Sequence, residues 1–234
     1  MEIGKSFTYA FEDNEWISKL GLGGLITLVP ILNFAWVGYT VETMKNVAAG
    51  APRPLPNWTD LGKKFMDGLL LSIAMLIYSL PGILLILLPI AITVVPALFN
   101  NNSNLSNALT TAMTGVTCVL GCFLLLYFLA VSFLYPAVML HFADKGTFGA
   151  CFEIKDIFAL VSSRFSDYLT AWAVWIGASF VISIAVGMVS SIIGLIPCLG
   201  QLVGIVLGLF MGVYITTIEA HLFGQFAGRQ AFPQ

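Results

Sequence analysis

Apolar positions along the chain fall into three long stretches that contain no Asp, Glu, Lys or Arg: residues 20–41, 68–143 and 168–218. A bilayer core about 30 Å thick takes roughly 20 apolar residues per helix, because hydrocarbon satisfies no bare backbone group. The pattern predicts an all-α, polytopic transmembrane helical bundle. The middle stretch must cross at least twice, and its polar interruption at 100–107 (NNNSNLSN, five of them asparagine beside two serines) sets the reversal there. The last stretch also needs two crossings, turning at Pro197-Cys198-Leu199-Gly200. Spans at 68–99 and 109–141 exceed the required length and should tilt or protrude. Pro81, Pro89 and Pro96 should kink or break the first of these. Period-2 alternation, the mark of a membrane β-barrel, is absent.

Residues 20–41 are long enough for one span, yet Pro30 and Asn33 sit in the middle. The string Leu28-Val29-Pro30-Ile31-Leu32-Asn33 resembles Leu195-Ile196-Pro197-Cys198-Leu199-Gly200, the turn required by length in the last stretch. We therefore read 17–29 and 33–49 as a helical hairpin with a short, re-entrant first arm. With a hairpin, all ten Lys and Arg lie on one side and the outer loops at 30–33, 100–107 and 197–200 carry none. Basic loops prefer the cytoplasmic face, so the charged loops are expected there. The expected count is five to six membrane segments.

The charges sit in islands at 1–19, 42–67 and 144–167 and in a short tail from Glu219. Ile3, Phe7, Ala10, Phe11 and Asn14 follow helical spacing in the first; Leu61 and Phe65 share a face in the second. Cys151, Ile154, Ile157, Phe158, Val161 and Phe165 form a stripe in the third. These patterns predict amphipathic interfacial helices. The alternating Pro52, Pro54 and Pro56 make an extended connector, with Asn57 or Thr59 able to cap the helix that follows. The chain is read as a single integral membrane domain, 1–234. It is built of units 1–50, 51–143 and 144–228 with a tail at 229–234; Phe-x-Asp occurs near the entry of each unit at Phe11, Phe65 and Phe165, and a fourth copy at Phe142 lies at an exit.

Composition narrows the function. The chain of 234 residues is 59% apolar and 9% charged with a net charge of −2. Soluble domains carry about 25% charged residues. A soluble enzyme, a disordered chain and a nucleic-acid binder are excluded, the last for want of a basic field. Glu2, Glu12, Asp13 and Glu15 are the wrong chemistry for a signal-peptide n-region. Cys118, Cys122, Cys151 and Cys198 form no C-x-x-C pair and read as packing residues.

No hydrolase elbow, phosphate loop, dinucleotide glycine pattern or Cys/His metal spacing is present, so neither catalytic residue, cofactor nor metal is expected. Glu42, His141, Glu219 and His221 all fall near the same ends of ascending helices and form the candidate polar cluster. Gly204, Gly208 and Gly212, spaced i, i+4, i+8, mark a close-packing helix face. Trp16, Trp58, Tyr168, Trp172 and Trp175 read as interface anchors.

Phe11-Glu12-Asp13, Trp16-Ile17, Lys19, Gly23-Gly24-Leu25, Val29-Pro30-Ile31-Leu32 and Gly38-Tyr39 together are similar to a family of prokaryotic membrane proteins known only as a domain of unknown function. Leu55-Pro56-Asn57-Trp58, Asp67-Gly68, Tyr135-Pro136-Ala137 and Phe148-Gly149-Ala150 with Phe152 extend the likeness over most of the chain. The resemblance implies a multi-pass protein of the prokaryotic cell membrane and supplies no catalytic residues. The expectation is a scaffold, assembly factor or accessory subunit. Its partners would be the lipid bilayer and either further copies of the chain or other membrane subunits. A small transporter or channel for a neutral or lipophilic solute is the alternative.

Overall fold

A computed structural model describes residues 1–99, 103–196 and 199–228, leaving aside the side chains at 93, 95–99, 103–110 and 118. All regular structure among these residues is helical. The order is α1 (Ile3–Thr8), a 3-10 turn (Tyr9–Glu12), α2 (Trp16–Thr27), α3 (Asn33–Ala48), α4 (Leu61–Phe99) and α5 (Ser103–Lys145). A second 3-10 turn (Phe148–Phe152), α6 (Ile154–Ser163), α7 (Phe165–Ile193) and α8 (Leu199–Gly228) complete it. The chain divides into two compact units, one of Met1–Ser72 with Pro136–Gln234 and the other of Ile73–Tyr135.

Among the described residues four helical stretches are long and apolar enough to cross a membrane: Leu61–Ile92, Thr111–Lys145, Phe165–Ile193 and Leu199–Gly228. This is fewer than the five to six segments expected, and the difference lies in residues 20–41. They form two helices, α2 and α3, of 12 and 16 residues. At 1.5 Å per residue these reach only about 18 and 24 Å, short of the bilayer core. Gly23 faces the Trp36 ring, and Leu20 shares a core with Trp36 and Tyr39, so the two arms run antiparallel about a turn at 28–32. At that turn Leu28, Val29, Ile31 and Leu32 are all exposed. Helix α4, in contrast, continues through Pro81, Pro89 and Pro96 without the expected break. No separate surface helix precedes it: the short helix expected near Asp60 is the first turn of α4. Asp60, at φ 55°, marks where the extended proline connector ends. The two expected reversals fall at the α4–α5 and α7–α8 junctions. Residues 100–102 and Pro197–Cys198 themselves lie outside the described residues, as does the tail at 229–234.

In the first unit α8 is the central element, packing on α1, α2, α3 and α7. Two glycines let it approach α3 closely. A Cβ at Gly224 would stand 2.6 Å from Val47 Cβ, and one at Gly228 would stand 2.7 Å from the Ala48 carbonyl oxygen. Helices α3 and α4 approach still closer, for a Cβ at Gly38 would meet the Lys64 carbonyl oxygen at 1.8 Å and one at Gly68 the Phe34 carbonyl oxygen at 1.8 Å. The core between these helices is aromatic. Tyr39 stacks between Trp36 and Trp58 at 4.9 and 4.6 Å, and Trp36 Nε1 donates to Thr216 Oγ1 of α8 at 2.9 Å. Such rings bury large area, and a polar atom at one end can find a partner.

The short helices expected to be amphipathic bury other residues than the simple apolar stripes indicate. Along α1 and its 3-10 turn the buried residues are Ser6, Tyr9, Ala10 and Asp13, while Ile3 and Phe11 point outward. In the third island Cys151, Ile157 and Val161 are buried, whereas Ile154, Phe158 and Phe165 are exposed. Helical spacing marks these positions as apolar but cannot say which of them the bundle covers.

In the second unit Gly82 lies under Phe128 and Tyr127, and Tyr127 Oη donates to the Tyr78 carbonyl. A groove of about 430 Å3 between α4 and α5 is lined mainly by aliphatic side chains, including Leu85, Pro89 and Leu124, with Thr114, Thr117 and Gly121.

Candidate functional site

The charged end of the first unit holds most of its polar contacts, beginning with a buried ion pair. Lys19 Nζ donates to Asp13 Oδ2 at 2.7 Å and to the Leu55 carbonyl at 3.1 Å, while Trp58 Nε1 donates to the Lys19 carbonyl at 2.9 Å. Asp13 Oδ1 accepts the Glu15 N–H at 2.9 Å. Burial alone would raise the Asp13 carboxyl. The Lys19 ammonium, the Glu15 amide and the charges of Lys19 and Arg53 outweigh it and hold the group below its ordinary value. The Phe11-Glu12-Asp13…Trp16…Lys19 signature is thus a clamp between α2 and the proline connector.

The four residues of the candidate cluster are held in separate contacts. Glu42 on α3 pairs with Lys64 Nζ at 2.8 Å, and the buried Lys64 also donates to the Thr59 carbonyl at 2.8 Å. Glu42 shares a cavity of about 130 Å3 with Lys45, Lys63, Asp67 and the last turn of α5 at Phe142. His141 is turned elsewhere, with Nε2 at 2.7 Å from Glu153 Oε2. Glu219 is buried on α8 on the face that carries Phe223 and Phe226, both packed on Tyr168, and its Oε1 has no hydrogen-bond partner among the described residues. His221, two residues on, belongs to another face: its ring stacks on Tyr9 at 4.2 Å and its Nδ1 lies 2.8 Å from Ser6 Oγ and 2.9 Å from Gln225 Nε2. Of the glycine stripe, Gly204 packs on Ser190 of α7 at 3.6 Å, whereas Gly208 and Gly212 have nothing within 4 Å of a built Cβ.

His141, Glu153 and Asp156 present one ligand atom each within 4.8 Å of one another, a set that could hold a metal ion. The Lys145 ammonium already lies against both carboxylates, bonded to Glu153 and 3.5 Å from Asp156, and supplies their counter-charge. Hydrogen bonds from Lys145 and His141 draw the Glu153 carboxyl down to about 2. A carboxyl depressed in the folded state contributes stability above its ordinary range, and that contribution is lost as pH falls toward the folded value. This network joins α5 to the start of α6 across the turn that carries Cys151, whose buried thiol is pushed up to about 11. Glu153→Gln is therefore expected to raise the rate at which a thiol reagent modifies Cys151 by several-fold at neutral pH. Dithiodipyridine, which also reacts in acid, should show the wild-type rate rising between about pH 4 and 2 while the variant stays flat. Peptide-resolved mass spectrometry separates Cys151 from the other thiols, and equal rates in both proteins would reject the network as the closing element.

Sequence reasoning singled out His221 but not the groups around it. Glu2, Lys5, Tyr9, Glu12, His221 and Gln225 contribute to one cavity of about 450 Å3, completed by Val47–Ala48 at the end of α3 and by the connector up to Pro54. Only the pairing of a mid-helix histidine with a glutamine four residues later on the same face hinted at it.

No curated protein and no solved structure matches the chain. A family model described as "Protein of unknown function (DUF4013)" matches residues 22–191, from within α2 through most of α7. With four apolar helices of spanning length on the same chain, the protein belongs to the DUF4013 family of proteins of unknown function.

Proposed function

We propose that the chain is a non-enzymatic membrane scaffold or accessory subunit of a larger assembly in the prokaryotic cell membrane, with its charged loops on the cytoplasmic side. The observation that carries this reading is the open edge of α8. A helix face on which Gly208 and Gly212 carry nothing within 4 Å is shaped for the close approach of another helix, and Gly204 shows that approach already made against Ser190. Small-residue faces of this kind are how helices associate where lipid removes the hydrophobic driving force. In two of the four candidate spans, moreover, no residue of the most apolar window is buried by the chain itself. The polar side chains at the charged end are largely spent on one another, as in Lys19–Asp13, Lys64–Glu42 and His141–Glu153.

Extraction from the native membrane in a mild detergent, followed by native mass spectrometry, tests this. We expect a homo-oligomer or a complex with other membrane subunits, dispersed by Gly208→Leu or Gly212→Leu with the helical content retained. A strictly monomeric wild-type protein without a co-purifying partner rejects the reading. The apolar groove of about 430 Å3 between α4 and α5 then favours the alternative, passage of a lipophilic solute.

A further inference from the structure

The cavity beside His221 carries chemistry that neither the family nor the scaffold reading uses. The Gln225 amide pairs with the backbone of Glu2: its Oε1 accepts the Glu2 N–H at 2.7 Å and its Nε2 donates to the Glu2 carbonyl at 3.2 Å. That pairing fixes which end of the amide is nitrogen. The same Nε2 then donates to His221 Nδ1 at 2.9 Å, so Nδ1 is an acceptor and the ring proton is on Nε2. His221 is only 5% exposed, and its Nε2–H has no hydrogen-bond partner among the described residues. With Nδ1 turned to Ser6 and Gln225, the Nε2 edge is the part of the ring left for the cavity that His221 lines. That N–H is open to the cavity, where a ligand oxygen can accept from it.

The other groups on the wall are of both signs. Lys5 brings an ammonium; Glu2 and Glu12 bring carboxylates. Lys5 and Glu2 are 3.9 Å apart and exposed, a pair weak enough to exchange partners at little cost. Val47 and Ala48 end α3 at the same wall, and a helix C-terminus favours a cation. The cavity is within the roughly 300–1,000 Å3 common for small-molecule sites. It lies against Gln225 and Gly228, the last turn of an apolar span that ends at Gly228. That is the level at which lipid headgroups sit.

We propose that this cavity binds a zwitterionic headgroup of the phosphoethanolamine type, an anionic phosphate joined by two carbons to a primary ammonium. The phosphate oxygens take the His221 Nε2–H and the Lys5 ammonium. The ligand's ammonium takes the Glu2 and Glu12 carboxylates and the C-terminal end of α3. Both signs on one short ligand match both signs on the wall, which neither an anionic nor a purely cationic ligand would do.

The test uses the full chain in detergent with equal amounts of phosphatidylethanolamine and phosphatidylglycerol of matched acyl chains. Native mass spectrometry reads which lipid is retained. Charge-assisted hydrogen bonds of this kind support a preference of about tenfold for the ethanolamine lipid. His221→Phe keeps the stack on Tyr9 but removes the N–H, and should bring the preference below about threefold. Lys5→Gln, at an exposed side chain that leaves the fold alone, should lower it in the same direction, as should Glu12→Gln. Free O-phosphoethanolamine separates the two sources: displacement of the lipid identifies the headgroup alone as the ligand, and resistance assigns the site to a membrane lipid, either result supporting the proposal. Equal retention of the two lipids by the wild type overturns it, as does a preference unchanged in both Lys5→Gln and His221→Phe. Oligomeric state is read separately, so the scaffold reading and this site can fail independently.

Discussion

An alanine at position 38 is expected to cost at least the upper end of the roughly 1–3 kcal/mol seen for overpacked sites. The added Cβ would stand 1.8 Å from the Lys64 carbonyl oxygen and 2.6 Å from its carbon, deep inside van der Waals contact. The obstacle is backbone inside α4, which cannot rotate aside as a side chain would. Relief requires α3 and α4 to separate, and that movement would also pull on the Glu42–Lys64 pair and the Phe34–Phe65 contact at 5.9 Å. Gly68→Ala meets the reciprocal obstacle at the Phe34 carbonyl oxygen and should behave alike, with the double variant less than additive because both report one crossing. Against a typical total of about 5–15 kcal/mol, either change should greatly lower the thermal midpoint in detergent. Gly21→Ala and Gly177→Ala, where nothing lies within 4 Å, are the controls and should be neutral or gain up to about 1 kcal/mol from helix propensity. A midpoint for Gly38→Ala equal to that of the controls would refute the crossing.

Lys19→Met is expected to destabilise by about 3–5 kcal/mol, the cost of leaving one member of a buried ion pair without its partner. Asp13 would keep the Glu15 amide but lose the ammonium 2.7 Å away, and the Leu55 carbonyl would lose its donor. Methionine fills much of the lysine's volume, so packing loss is small and the measured change reports the charge. Asp13→Asn strands the lysine instead and should fall in the same range. The sign of the pH effect follows from the depressed Asp13 carboxyl. Its stabilisation is fully present above the ordinary carboxylate range and is lost as pH falls through the lower folded value. Thermal unfolding from pH 7 to pH 3 should therefore show the wild type losing its advantage over Asp13→Asn at the acid end. A constant gap between the two across that range would contradict the pairing.

The helices and the two-armed hairpin at α2–α3 were legible because each rests on a property of the one-dimensional pattern: apolar length, proline, and the absence of charge. Four stretches of spanning length occur among the described residues where five to six were expected, because residues 20–41, apolar enough for one crossing, are divided near Pro30 into arms of 12 and 16 residues. Of the kink or break expected at Pro81, Pro89 and Pro96, no break formed, although each ring removes an N–H donor from α4. Glu42, His141, Glu219 and His221 were recognisable as ionisable groups at helix ends, but their partners are set by rotation about each helix axis. Glu219 and His221, two positions apart, therefore face different neighbours. The His221 cavity draws Glu2, Lys5 and Glu12 from one terminus and Gln225 from the other, and no local pattern joins segments so far apart.

The bonds between α1 and α8 fix an order of events on the ribosome. Ser6 and His221 are separated by 215 positions, and Tyr9 reaches the Thr217 carbonyl across 208. At about 5–20 residues per second, the first segment emerges on the order of 10–40 s before the helix that receives it. Throughout that interval Ser6 lacks the His221 ring and the Tyr9 hydroxyl lacks the Thr217 carbonyl. The amino-terminal segment can complete these bonds only once α8 has been made and threaded beside it.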